Sequence, residues 1–142
     1  MKQIKLLMVC MLLSCNSAKK DIDAAEFNVS NYYSYVINNR MDSVSRVFSA
    51  AFYGTLDSVG LIDFVHSNEK DFGKIKSYEL AKRTISYEYK NKIKNKVLIL
   101  TYKVQYIPEY TAKEKFRFFL NDNFNGKIDG LSTTDWNNTE GD

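Results

Sequence analysis

The sequence predicts an α+β domain in which N-terminal helices pack on a four-stranded antiparallel sheet. Before residue 75, apolar residues recur at helical spacing in three segments; after it, the spacing changes to the alternation that is typical of strands. Helices that precede a run of strands, rather than alternating with them, are typical of α+β domains. With 142 residues, of which 44% are hydrophobic and 14% aromatic, the chain can form one small packed domain.

Each of the three predicted helices has an apolar stripe and a capping residue at its start. The capping candidates are Asp21 or Asp23 for the first helix, Asp42 for the second, and Asp57 or Ser58 for the third. The second helix is expected to end at Gly54. Gly73 is the expected C-terminal cap of the third, because glycine accepts the left-handed conformation that often ends a helix.

The sheet is organised around residues 95–121, which predict two long strands folded back on each other at Pro108. Residues 112–120 alternate between apolar and basic side chains, as in a half-buried strand. The apolar face holds Ala112, Phe116, Phe118 and Leu120, and the basic face holds Lys113, Lys115 and Arg117.

Two further strands complete the predicted sheet. A first strand is expected over residues 75–89. Its apolar side chains switch from even-numbered to odd-numbered positions, which indicates a bulge. Residues 90–96 are expected to form a basic hairpin loop. Asn125-Gly126 is a tight-turn signal, and the last strand is expected over residues 127–136.

The N-terminus carries the most specific motif. Residues 1–5 are basic and residues 6–13 are apolar but too short to span a bilayer. They end in Leu12-Leu13-Ser14-Cys15, which resembles the lipobox of bacterial lipoproteins. The resemblance implies cleavage after Ser14 and attachment of acyl chains at Cys15, enough for lasting membrane anchorage. The alternative is an ordinary secretory signal peptide in which Cys15 is incidental.

The chain is expected to have four parts. The lipobox resemblance implies a signal peptide (1–14) and a lipid anchor with its tether (15–23), and the residue patterns give the α+β domain (24–136) and a polar tail (137–142). It implies a location in the bacterial cell envelope. Asn16 occupies the position where Asp commonly retains such proteins in the inner membrane, so an outer-membrane location is expected. Whether the domain faces the periplasm or the outside stays open.

Charge gives no argument for binding nucleic acid. The formal net charge is +3, and loss of Lys2 and Lys5 with the signal peptide leaves about +1 (+3 minus 2). The lysines of residues 90–96 are interpreted as a solvated surface; contact with anionic lipid or an acidic partner is the alternative. The two cysteines, Cys10 and Cys15, both lie in the signal and anchor region, so the domain has no disulfide or cysteine metal site.

Short phrases of the domain resemble small bacterial lipoproteins of the NTF2-like, cystatin-like superfamily. They are the asparagine-rich break before Met41-Asp42-Ser43-Val44, the entry into the sheet over residues 72–77, and Gly126-Lys127-Ile128. The resemblance implies a curved sheet that wraps the helices into a cone. The cone would hold a small apolar ligand or dock an envelope protein, unless its own rings fill it. Homodimerisation through the open sheet face is also implied.

Enzymes of this superfamily typically use an Asp or His base with a tyrosine hydroxyl inside the cone, which makes Asp63 and His66 the catalytic candidates. A single histidine late in a helix is more often a surface residue than a catalyst, and Asp63 is equally compatible with a position facing water.

Residues 121–132 resemble a calcium-binding EF-hand loop, but Asn121 stands at the first ligand position and Ser132 at the twelfth. A turn built from Asn and Gly is the preferred interpretation, so no metal and no cofactor are expected. The sequence favours a lipid-anchored, non-catalytic binding or interaction module; a small pocket enzyme of the isomerase or hydratase type is the alternative.

Overall fold

A computed structural model describes residues 2–54, 57–90, 92–121 and 123–136, with side chains from residue 18 onward except at residue 90. The predicted α+β class is confirmed: three helices precede a four-stranded antiparallel sheet with strand order β1-β2-β3-β4. The sheet is not strongly curled. In the part of the chain that is described, the helices are too short or too polar to cross a membrane.

The helical layer consists of α1 (Lys2–Ile37), α2 (Met41–Val44) and α3 (Ser58–Phe72), with 3-10 turns at Ser45–Val47 and Phe52–Gly54. Asp57 caps α3 as expected, because its carboxylate accepts a hydrogen bond from the Gly60 backbone N–H at 2.7 Å. Asp21 and Asp23 lie inside α1, so the expected start of the first helix there is wrong.

The expected second helix from Asp42 to Gly54 is also wrong. The helix stops after one turn, and Phe48 is extended, with φ −95° and ψ 151°. A short parallel bridge joins this segment to Ile128: the Ser49 N–H donates to the Ile128 carbonyl and the Ile128 N–H donates to the Val47 carbonyl. The long-range bridge satisfies backbone groups that a continuous helix would have paired locally.

The strands are β1 (Lys74–Lys90), β2 (Ile93–Ile107), β3 (Tyr110–Leu120) and β4 (Gly130–Asp135). The predicted irregularity of β1 is confirmed, with register shifts at residues 75–77 and 80–82. Two boundaries differ from expectation. Residues 93–96 belong to β2 rather than to a loop, and β4 starts at Gly130 because Ile128 pairs with Phe48 instead of with β3.

An aromatic cluster joins α1 to the sheet. Tyr33 of α1 stacks on Tyr78 of β1 with ring centroids 4.0 Å apart, and Tyr32 meets Phe116 of β3 edge-on at 5.3 Å. Stacked and edge-on ring pairs each stabilise a core beyond the area they bury. The cluster therefore fixes how α1 lies across β1, β2 and β3.

Candidate functional site

A carboxylate is buried beneath the helices. Glu114 lies in the middle of β3, and its exposed fraction is 1%. Along β3 the buried residues are Ala112, Glu114, Phe116 and Phe118. Since alternate residues of a strand face the same side, Glu114 occupies an apolar position on the core face of the sheet.

Two tyrosine hydroxyls bind this carboxylate, one to each oxygen. The Tyr33 hydroxyl, from α1, donates to Oε2 at 2.9 Å. The Tyr106 hydroxyl, near the end of β2, donates to Oε1 at 2.5 Å. The carboxylate thus ties together a helix and two neighbouring strands.

Burial dominates the electrostatics of this group. It raises the pKa of the Glu114 carboxyl above its ordinary value, although the hydrogen bonds from Tyr106 and Tyr33 act in the opposite direction. Burial, together with the negative charge of Glu114, also raises the pKa values of the Tyr32, Tyr33 and Tyr106 hydroxyls. The tyrosines therefore stay protonated and act as hydrogen-bond donors at neutral pH.

A cavity of about 280 Å³ opens beside Glu114, between the ends of α1 and α3 and the sheet. The buried residues that line it are Tyr32, Val65, Tyr106 and Glu114. Its remaining apolar lining comes from Val36, Ile37 and Ile75. Exposed polar residues surround the mouth: Asn39, Glu69 and Lys74.

Gly73 makes the sharp connection that forms one wall of this cavity. It ends α3 with φ +95°, and a Cβ placed on it would lie 1.9 Å from the Ile107 carbonyl oxygen. Glycine is therefore required, both for the backbone conformation and for the close approach. The connection leads directly from α3 into β1, so Glu69 and Ile75 line the same cavity.

A cavity that combines aliphatic and polar walls with a buried, perturbed carboxyl has the general features of a ligand-binding or catalytic site. Glu114 can accept a hydrogen bond or pair with a cation when ionised, and can donate a proton when neutral. Tyr106 lines the same cavity and contacts the same carboxylate. These two side chains are the candidate functional pair.

The residues singled out in the sequence lie elsewhere. Asp63 and His66 are both exposed on α3, and neither lines the cavity. Cys15 lies outside the residues whose side chains are described, and so does the polar tail, residues 137–142. The structure leaves the predicted lipidation of Cys15 untested.

Sequence reasoning missed Glu114, although a signal was present. The alternation that assigned Ala112 and Phe116 to the apolar face places residue 114 on that same face. A carboxylate at a buried position of a strand needs hydrogen-bond partners, and this requirement could have identified Glu114. Its partners, Tyr33 and Tyr106, could not be identified, because α1 and β2 meet it through the tertiary fold.

The asparagine-rich segment before β4 forms turns. The side chain of Asn121 accepts a hydrogen bond from the Asn123 backbone N–H, and that of Asn125 accepts one from the Lys127 N–H. Asp129 accepts from the Ser49 hydroxyl and the Phe119 N–H. Over the described ranges, which omit residue 122, no group of three or more His, Cys, Asp or Glu side chains could hold a metal ion.

No protein-family model matches this chain, and neither a curated protein nor a solved structure matches it significantly.

Glu114 should make stability depend on pH. Burial raises the pKa of Glu114 in the folded state. Its contribution to the unfolding free energy is therefore fully present below the pKa of the unfolded chain, and it is lost as pH rises from about 4.5 through the raised pKa of the folded state. The unfolding free energy of the unchanged chain, relative to Glu114→Gln, should therefore fall over this range. Each unit of pKa elevation corresponds to about 1.4 kcal/mol.

Urea unfolding of both chains at several pH values measures this difference. Glu69→Gln removes an exposed carboxyl at the cavity mouth and serves as the control for loss of a negative charge. A difference that stays constant or grows as pH rises would contradict the raised pKa of Glu114.

Proposed function

We propose that this protein is a lipid-anchored binding module of the bacterial cell envelope, and that the cavity beside Glu114 takes a small molecule. The observation that carries the proposal is the cavity itself, whose lining combines aliphatic and polar side chains with the buried carboxylate of Glu114. At about 280 Å³ it is slightly smaller than the range of about 300–1,000 Å³ that is typical of small-molecule sites.

The cavity also bears on whether aromatic rings fill the space under the helices. The rings of Tyr32, Tyr33, Tyr102 and Phe116 pack against one another around the middle of β2 and β3. The cavity lies at the edge of this cluster: Tyr32 forms part of its lining, and Val36, Val65 and Ile75 line it beyond the rings. This arrangement favours a ligand over a role in which the domain only docks a partner.

The anchor and the family belong to the same proposal. The motif Leu12-Leu13-Ser14-Cys15 supports lipidation at Cys15 and an outer-membrane location. A distant NTF2-like, cystatin-like relationship is supported by the order of helices and strands and by a cavity between the two layers. The sheet is flatter than the cone that this relationship implies.

A small pocket enzyme is the second candidate, and Glu114 favours it. A buried carboxyl with a raised pKa next to tyrosine hydroxyls is suited to general acid–base catalysis. In this version Glu114 transfers the proton, and Tyr106, which donates a hydrogen bond to the same carboxylate, holds it in position. These roles replace those assigned to Asp63 and His66 from the sequence.

Lipidation predicts that Cys15→Ser abolishes acylation. Cells of a Gram-negative host expressing the full chain would be grown with an alkyne-bearing palmitate analogue, and the incorporated label measured on the purified protein. Cys10→Ser is the matched control, because Cys10 lies within the expected signal peptide. The label should be lost with Cys15→Ser and retained with Cys10→Ser. An unlabelled parent chain, or label that survives Cys15→Ser, would contradict the anchor.

The cavity predicts that the full chain, gently purified in detergent from its host, carries a small-molecule adduct in native mass spectrometry. Ile75→Trp should abolish the adduct, because Ile75 lines the cavity and the larger ring would fill it. Ile85→Trp is the control: Ile85 lies on the same strand, is 44% exposed and does not line the cavity. Equal adducts in both variants would contradict a ligand at this site.

The same adduct separates the two candidate functions. A binding module releases the adduct unchanged after incubation, whereas an enzyme converts it to a species of different structure or mass, and Glu114→Gln abolishes the conversion.

A further inference from the structure

We infer that the ligand of this cavity is a small organic cation, an amine with an apolar body, whose nitrogen pairs with Glu114. This inference rests on the proposed binding function and adds the chemical class of the ligand. The structural basis is a buried carboxylate in the lining of a cavity whose walls combine polar and aliphatic side chains.

The Glu114 carboxylate has unused acceptor capacity. Each of its oxygens accepts one hydrogen bond, from Tyr33 or from Tyr106. An ionised carboxylate offers about four acceptor positions, so about two remain for a ligand. Both tyrosines are held as donors toward the carboxylate, and this arrangement matches its ionised form. An ammonium group supplies both further donors and the opposite charge.

The charges around the cavity favour a cation over an anion. The titratable groups that line it are the carboxyls of Glu114 and Glu69, the ammonium group of Lys74, and the hydroxyls of Tyr32 and Tyr106. With Glu114 ionised and the tyrosines neutral, the lining carries a formal charge of −1. Lys74 is exposed at the mouth, so its charge is screened by water, while Glu114 acts from a desolvated position.

The walls determine the remainder of the ligand. Val36, Val65 and Ile75 present aliphatic surface, and the Tyr32 ring adds an aromatic wall. Burying apolar surface against them is favourable, and a cation near the face of an aromatic ring gains further attraction. The modest cavity volume limits the body to roughly one ring or a short alkyl chain.

The test uses three probes with the same apolar body: 2-phenylethylamine as cation, 2-phenylethanol as neutral analogue and 3-phenylpropionate as anion. Affinities for the full chain in detergent are measured by isothermal titration calorimetry at neutral pH. The amine should bind about tenfold or more tightly than the alcohol, because a hydrogen bond between charged groups is stronger than one with a neutral donor. The anion should bind most weakly.

Glu114→Gln should remove the preference of the amine over the alcohol. Glu79→Gln should retain it, because Glu79 is an exposed carboxyl on β1 that does not line the cavity. The probe series on the unchanged chain tests the charge preference even if Glu114→Gln does not fold. Equal binding of amine and alcohol, or tighter binding of the anion, would overturn the cation inference but leave the binding function standing. Binding of none of the three probes would overturn the cation inference; absence of an Ile75-dependent adduct would separately overturn the binding function.

Discussion

The structure depends on the burial of one carboxylate in an otherwise apolar layer. An unpaired polar group in such a position costs about 1–3 kcal/mol, and a charged one costs more. In this fold the hydroxyls of Tyr33 and Tyr106 offset that cost for Glu114. The helix and the two strands must keep their relative positions for both hydrogen bonds to form, so one polar group specifies the packing of three elements.

Other contacts support the same arrangement, both beside Glu114 and toward the far end of β3. Asp129 accepts hydrogen bonds from Ser49 in the irregular segment after α2 and from the backbone of Phe119 in β3. The Asn68 side chain in α3 donates to the Thr133 hydroxyl in β4 at 2.9 Å. Hydrogen bonds therefore hold the helical layer to the sheet at several points. The space left between the two layers beside Glu114 is the cavity. In the proposed function, the carboxylate that orders the core is also the group that a ligand would meet.

Much of the fold could be predicted from the sequence, since local chemistry determines it. Asp57 and Gly73 mark the limits of α3. The apolar side chains of β1 switch between even-numbered and odd-numbered positions, and this switch predicts its bulges. The break after α2 could not be predicted, because Phe48 is extended through pairing with Ile128, eighty residues away. The site was missed for a related reason. Asp63 and His66 were predicted from their residue types alone, whereas Glu114 is distinguished by its position among the apolar residues that alternate along β3.

The most direct test is a carbon-13 NMR titration of the Glu114 side-chain carboxyl in the intact chain, with its resonance assigned by its absence from Glu114→Gln. Burial of this carboxyl in the lining of the cavity predicts a midpoint above the 4.5 of an ordinary glutamate. A midpoint at or below 4.5 would show that water or hydrogen bonds stabilise the ionised carboxylate at least as much as burial destabilises it. That result would contradict the central role given to desolvation of Glu114.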